Sequence, residues 1–476
     1  MNRSIRWVAG LCAVMFFALF AQISFNYVVR YDDLNAHPQN RRVRDAEFAN
    51  PRGSILVSNT PIAETVDSEG RFARQRVYSN GPMYAPITGY FSYIFGFSGL
   101  EQRFNSQLTG TDDSQFLGNL VDVLAGRHPE GATLQTTINP AAQQAAWDGL
   151  AGRKGAVIAM DYTTGAILAY VSSPSFDPNS LASSDINATQ EAWRSYLEDP
   201  DNPLADRATQ EIYAPGSVFK LITAAAAFAD GMSPETVIEA PAEFQLPNST
   251  HILTNWGPCG SNGQITIREA LVVSCNTAVA KLAIQLGDEK IRAQAEAFGF
   301  GTAFEGDLNS AISTFPDTLD DAQLAMSGIG QFDVAVTPLQ IAAVTATIAN
   351  SGVQMEPYLI SEIRNPDLSV LQRHSPTELR TPLDITVAEQ LRSVMVDVIN
   401  RGTAVNANIP GMTMGGKTGT AQTDSSHPPY AWFTGWSVNP NVVVTVFIED
   451  AVDNEDLISG GRNAAPVGRA VFEALR

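Results

Sequence analysis

The stretch GAVIAMDYTTGAILAYVS, Gly155–Ser172, holds two β-rich runs, Ala156–Met160 and Ala166–Val171, joined by a turn that ends in Gly165. That is the pattern of a β-hairpin. Just upstream, NPAAQQAAWDGLAG reads as a helix with Asn139 as its cap and Pro140 in its first position. Near the other end of the chain, AWFTGWSV and NVVVTVFIED read as two further strands and APVGRAVFEALR as a closing helix. A helix-strand-strand opening and a strand-strand-helix ending predict one sheet assembled from both ends of a domain. The alanine-rich helical pattern between Gln210 and Asn350 would pack against it. The expected class is α+β.

At 476 residues and 44% hydrophobic, the chain is long enough for more than one domain and apolar enough for a large core. A net charge of -20 argues against nucleic-acid binding, which needs a basic face. The five histidines, His37, His128, His251, His374 and His427, are scattered, and no metal or nucleotide motif accompanies them. No metal or cofactor is expected. WVAGLCAVMFFALFAQISF, Trp7–Phe25, is 19 residues broken only by Gln22 and Ser24, close to the ~30 Å of bilayer hydrocarbon at about 1.5 Å per residue. It exceeds a signal-peptide core and no small-x-small site follows, so an uncleaved anchor is expected. Arg3 and Arg6 before it are balanced by Arg30, Arg41, Arg42 and Arg44 after it, so charge assigns no side. Cys12 falls in the anchor. Cys259 and Cys275, 16 apart, allow either a disulfide in an oxidising compartment or two separate buried thiols. Beyond the anchor come a polar stretch, Asp32–Asn50, a short strand at Ser54–Val57 and aromatic-rich turns, with no catalytic constellation before about Pro129.

The chemistry begins in APGSVFKLITAAAAFAD, Ala214–Asp230, a helix apolar on every side whose one cation is Lys220. Ser217 and Lys220 share a face at i, i+3. In isolation they read as a helix cap and a snorkelling lysine. Burial, however, drives an ammonium toward the neutral amine, and a neutral amine beside a serine is a general base beside a nucleophile. Two further stretches carry little alone. Ser274-Cys275-Asn276 offers a hydroxyl and a carboxamide on a helical approach, and GGKTGTAQ, Gly415–Gln422, reads as a strand edge. Alternation there puts Lys417 and Gly419 on one side and Thr418 and Thr420 on the other, with Gly419 admitting a ligand's backbone. Such an edge suits a peptide that ends in a carboxylate.

Together the three are S-x-x-K, S-x-N and K-T-G in that order, a set shared by class A β-lactamases and penicillin-binding proteins. With YAPGSVFK, GIGQFDVAVTPLQIAAVTATIANSG and GKTGTA...AWFTGW as its context, the chain resembles the class B penicillin-binding proteins, serine DD-transpeptidases, from about Ala132 to the C terminus. NPRGSILVSN and GLEQRF echo that family's non-catalytic module. The resemblance implies an antiparallel sheet flanked by helices plus an all-helical subdomain. It also implies a tail (1–6), an anchor (7–28), a non-catalytic module (29–131) and a transpeptidase domain (132–476) held outside the cell membrane. It further implies that Ser217 attacks the D-Ala-D-Ala bond of a peptidoglycan stem peptide, that Lys220 takes its proton, and that Ser274 and Lys417 relay a proton to the departing D-alanine. Asn276 would orient the peptide amide, Thr418, Gly419 and Thr420 would line the substrate site, and the N–H groups of Ser217 and Thr420 would form the oxyanion hole. β-Lactams would bind covalently, and a SEDS-type glycan polymerase and cell-wall or divisome proteins would be the partners.

Two features depart from the pattern. EGDLN, Glu305–Asn309, matches the E-x-x-L-N with which class A β-lactamases hydrolyse their acyl-enzyme, and is read here as a loop. Phe332 stands where the family continues GQG, a position that touches backbone freedom only. The region before the catalytic domain is too short for a glycosyltransferase and carries no E-D-x-x-F-x-x-H motif. The six residues before the anchor leave no signalling segment for a β-lactam sensor. The alternatives are a DD-carboxypeptidase or β-lactamase-like hydrolase, or a catalytically silent scaffold.

Overall fold

The computed structural model describes residues 3–30, 34, 45, 48–70, 72–115, 130–423, 428–449 and 458–476; most of Asp32–Asn50, with His37, His128 and His427, lies outside them. In chain order the elements that position the site are α1 (Arg3–Val28), β1 (Ile55–Val57), β2 (Thr60–Asp67), β3 (Arg74–Tyr78), β4 (Thr133–Thr136), α2 (Pro140–Leu150), β5 (Gly155–Asp161) and β6 (Ile167–Ser173). There follow α3 (Lys220–Ala229), α4 (Asn276–Leu286), α5 (Pro338–Ala349), β7 (Ile360–Arg364), β8 (Val370–Arg373), α6 (Ile385–Arg401), β9 (Thr413–Ala421), β10 (Tyr430–Val438), β11 (Val442–Ile448) and α7 (Ala465–Leu475).

The opening hairpin and the closing strands do meet in one sheet, antiparallel throughout, in the order β9-β10-β11-β5-β6. Asn139 caps α2 as its sequence predicts, its side chain accepting from the N–H groups of Ala141 and Ala142. Both faces of the sheet are covered. Val157 and Ala159 of β5, with Val442, Val444 and Val446 of β11, join α2 and α7 in one apolar cluster. Ala156, Ile158 and Met160, with Val443 and Phe447, face the other way into the cluster that contains α5 and α3. Two buried faces explain why β11 reads as a nearly continuous apolar run, interrupted only by the buried Thr445, instead of an alternating one. Every residue of α5 is buried. Within the helical subdomain, Val237–Glu239 pairs with Gln264–Thr266 and Glu243–Gln245 with Ile252–Thr254. These three-residue strands are too short to show a readable period.

A second sheet, ordered β8-β7-β4-β1-β2-β3, combines the N-terminal module with strands from deep in the catalytic segment. Thr133–Thr136, which the sequence reading placed at the start of the catalytic domain, lies in the middle of it, parallel to β1. Behind β1–β3, Glu101 is fully buried between two guanidiniums: Arg52 Nε lies 2.5 Å from one carboxylate oxygen and Arg76 Nε 2.7 Å from the other. Burial pushes the Glu101 carboxyl up, and the two arginines together pull it below the usual carboxylate range. No residue of α1 is buried against the rest, and its 26 residues are long and apolar enough to cross a bilayer, which fits a single-pass anchor.

Candidate active site

Ser217 sits in a single 3-10 turn, Gly216–Val218, that leads into α3. The turn is held from three sides. Gly216 N–H donates to Gly330 O (2.8 Å), Tyr213 pairs with Val336, and Trp432 Nε1 donates to Ala214 O (3.0 Å). Gly216 has φ +54, and a Cβ there would lie 2.7 Å from Thr420 O, so the turn reaches β9 only with glycine at this position. A Cβ on Gly419 would lie 2.9 Å from Pro215 O and 3.1 Å from Val218 Cγ1. The bare backbone at Gly419 therefore lets the nucleophile turn close on β9, beside the substrate-site role that the resemblance implies for it.

Lys220 begins α3 and is fully buried. Its Nζ donates to Ser274 O (2.8 Å) and to Asn276 Oδ1 (2.7 Å). Burial, followed by the nearby Lys417 charge, holds its pKa well below the ordinary lysine value. Those two acceptors use both hydrogens of a neutral amine, which leaves the lone pair as the remaining valence. One turn away on the same face stands Ser217, whose Oγ no hydrogen bond occupies among the described residues.

Ser274 lies between helix Ile267–Val272 and α4 with φ +60, in a left-handed turn and not on a helix as its sequence context suggested. That turn aims its carbonyl at Lys220 while its Oγ accepts from Lys417 Nζ at 2.8 Å. Lys417, fully buried on β9, also donates to Thr418 O (2.9 Å), and burial lowers its pKa to about 7. Lys220, Ser274, Asn276 and Lys417 therefore converge in one place, and Ser217 lies three residues before Lys220 in the turn that packs on β9.

On the other side of β9, Thr418 Oγ1 lies 2.5 Å from Thr403 Oγ1, and Thr420 Oγ1 accepts from Gly460 N–H at 3.4 Å. The predicted alternation along the strand holds. β9 ends its sheet, so its outer edge pairs with no strand among the described residues. Thr403 escaped the sequence reading because a threonine after a helix end carries no signal of its own. Asn255 escaped it too, although its side chain accepts from the N–H groups of both Asn276 and Thr277. Cys259 and Cys275 are joined in a disulfide with Cα atoms 5.7 Å apart, which settles the alternative left open above. Closing a loop of this length adds about 3 kcal/mol in the chain-entropy account.

The EGDLN loop faces elsewhere. Asp307 accepts from the N–H groups of Leu359 and Ile360, Arg103 of the N-terminal module donates to Gly306 O, and Gln210 to Asn309 O. Glu305 itself is exposed.

Residues 155–473 match the family model described as the penicillin binding protein transpeptidase domain. The chain belongs to that family. A second model, the penicillin binding protein A dimerisation domain, matches residues 52–134 of this penicillin-binding protein. Full-length relatives bear out the likeness to penicillin-binding protein A of actinobacteria. It is 41% identical to a peptidoglycan D,D-transpeptidase PbpA of Mycolicibacterium smegmatis, over all of this chain and 99% of that one. Its identity to the PbpA of Mycobacterium tuberculosis is 40% over the same shares. A solved structure of the M. tuberculosis penicillin-binding protein A as a ceftriaxone acyl-enzyme superposes with a TM-score of 0.87 at 40% identity, covering 90% of this chain and 99% of that one.

Proposed function

We propose that this penicillin-binding protein is a peptidoglycan D,D-transpeptidase that works through a Ser217 acyl-enzyme. The observation that carries the reading is the state of Lys220: a buried amine whose two hydrogens are committed to Ser274 O and Asn276 Oδ1, with its lone pair left for the Ser217 hydroxyl. Ser217 Oγ adds to the carbonyl carbon of the penultimate D-alanine as its proton passes to Lys220 Nζ. The oxyanion rests on the N–H groups of Ser217 and Thr420, where each donor is worth about 2.7–4 kcal/mol. Collapse breaks the C–N bond, and the leaving nitrogen takes a proton through the Lys220–Ser274–Lys417 chain. The terminal carboxylate of the peptide meets the Thr418 and Thr420 hydroxyls on the open edge of β9, and Asn276 orients its amide. An amine from a neighbouring stem peptide then adds to the ester carbon and gives a proton to Lys220, which returns it to Ser217 Oγ as the ester C–O bond breaks, completing the cross-link. A β-lactam follows the first half only, because its leaving nitrogen stays tethered to the acyl group.

The outward position of Glu305 favours a long-lived acyl-enzyme over the hydrolase reading. The decisive experiment is mass spectrometry of the penicillin-treated protein. A stable adduct on the Ser217 peptide, absent from Ser217→Ala, is the expected result. Rapid release of hydrolysed penicillin, or labelling that survives Ser217→Ala, overturns the proposal. The resemblance further supports an extracytoplasmic catalytic domain on a membrane anchor, working beside a SEDS-type glycan polymerase, which co-purification of the full chain with its membrane partners tests.

A further inference from the structure

Helix α4 begins at Asn276 behind Cys275, whose side chain makes no capping hydrogen bond. A helix start without a local cap leaves N–H groups to be satisfied from elsewhere. They are satisfied from a segment 21 residues upstream: Asn255 Oδ1 accepts from Asn276 N–H (2.8 Å) and from Thr277 N–H (3.0 Å), and Asn255 Nδ2 donates to Thr277 Oγ1 (2.9 Å). The same segment takes the Asn276 side chain, whose Nδ2 donates to Thr254 O at 3.1 Å. With Nδ2 held there, Asn276 Oδ1 is the oxygen turned to Lys220 Nζ. The disulfide from Cys259 to Cys275 ties the segment down a second time, one residue from Asn276. Residues 254–259 thus form a clasp around the start of α4, and Asn255 is its polar centre.

We propose that Asn255 is a positioning residue for acyl transfer: it caps α4 in trans and so fixes the Asn276 carboxamide against Lys220. This rests on the acyl-enzyme reading above. Asn255 touches neither substrate nor reacting atoms; its effect passes through Asn276. Aspartate keeps the accepting oxygen of the cap, and its second oxygen can accept from the Thr277 hydroxyl in place of the Nδ2 donation, so aspartate should replace asparagine and alanine should not.

The test is the second-order rate of acylation by a fluorescent penicillin, measured on the detergent-solubilised full chain. Ser217→Ala must not label, which checks the reading on which the inference rests independently of the inference itself. Asn255→Ala is expected to acylate about 5- to 30-fold more slowly, the worth of a helix cap expressed as a rate. Asn255→Asp should stay within about threefold of the wild type on the alkaline plateau of each protein's pH–rate profile, where an added carboxylate no longer governs the Lys220 proton. In an Asn276→Ala background, Asn255→Ala should cost less than about threefold more, because the residue it acts through is gone. The inference is overturned if Asn255→Ala acylates at the wild-type rate, if Asn255→Asp is as slow as alanine, or if the two alanine substitutions multiply.

Discussion

Replacing Asn276 by aspartate changes one nitrogen to oxygen and sets a carboxylate where a carboxamide oxygen now sits 2.7 Å from Lys220 Nζ. At that distance and an effective dielectric of 20 the attraction is about 6 kcal/mol. Asn276 is half-buried, and halving the figure for the solvent that reaches it leaves about 3 kcal/mol. At 1.36 kcal/mol per unit this raises the Lys220 pKa by roughly 2 units, against the burial that now holds it down. If Lys220 must be neutral to accept the Ser217 proton, acylation on the acid limb falls about 100-fold and regains about tenfold for each pH unit on the way up. Asn276→Ala supplies the contrast. It removes the hydrogen bond without adding charge and should lower the whole profile without moving its acid limb upward. Fluorescent penicillin acylation from pH 5 to 10 distinguishes the two. A profile for Asn276→Asp that overlies the wild type, or drops evenly at every pH, refutes Lys220 as the base.

Three other expectations follow from particular contacts. Glu101→Gln leaves Arg52 and Arg76 buried without a counter-charge and should cost about 3–5 kcal/mol in thermal unfolding; a loss below about 1 kcal/mol would mean that the cluster is dispensable. Lys417, lowered from 10.5 to about 7, binds its proton more weakly when folded, so its stability cost is full below pH 7 and fades as pH rises from 7 to 10.5. Lys417→Met should therefore abolish acylation while its Tm relative to wild type is most favourable below pH 7 and declines up to pH 10.5; a difference flat with pH contradicts the shift. Phe332 holds φ +62 and is 46% exposed. Phe332→Gly relieves about 1–2 kcal/mol of left-handed strain against about 0.5–1 kcal/mol of added chain entropy, so Tm should hold or rise slightly, and a clear fall would show that the ring packs usefully.

Much of this was legible in the sequence because strong local signals and global architecture agree. The Gly155–Ser172 hairpin, the Asn139-Pro140 helix start and the paired apolar runs near the C terminus each announce one element, and their order announces the sheet. The catalytic residues were legible for a different reason: each short motif is weak, but three in order are not. What stayed hidden depends on chain reversal. Neither the left-handed turn at Ser274 nor the reach of Asn255 to a helix 21 residues away has a period or composition to betray it. The packing of the nucleophile turn on Gly419 stayed hidden because a glycine reports only that something comes close, not what. The sharing of β7 and β8 with the N-terminal sheet is a pairing across more than 200 residues, which no local pattern encodes.

The chain handles buried charge in two opposite ways. In the N-terminal module two buried arginines face a buried carboxylate and hold its pKa below the usual carboxylate range. Around Ser217 two lysines are equally buried, yet every acceptor that meets them among the described residues is neutral: Ser274 O, Asn276 Oδ1, Ser274 Oγ and Thr418 O. Neutral acceptors satisfy the N–H groups of an amine without rewarding its protonation, so burial prevails and the proton stays available for transfer. A carboxylate at Asn276 would make a stronger ion pair and a weaker base. That is the physical reason for serine and asparagine, and not aspartate, in the middle motif. The same logic makes the neutral clasp at Asn255 suited to hold Asn276 in place without adding charge.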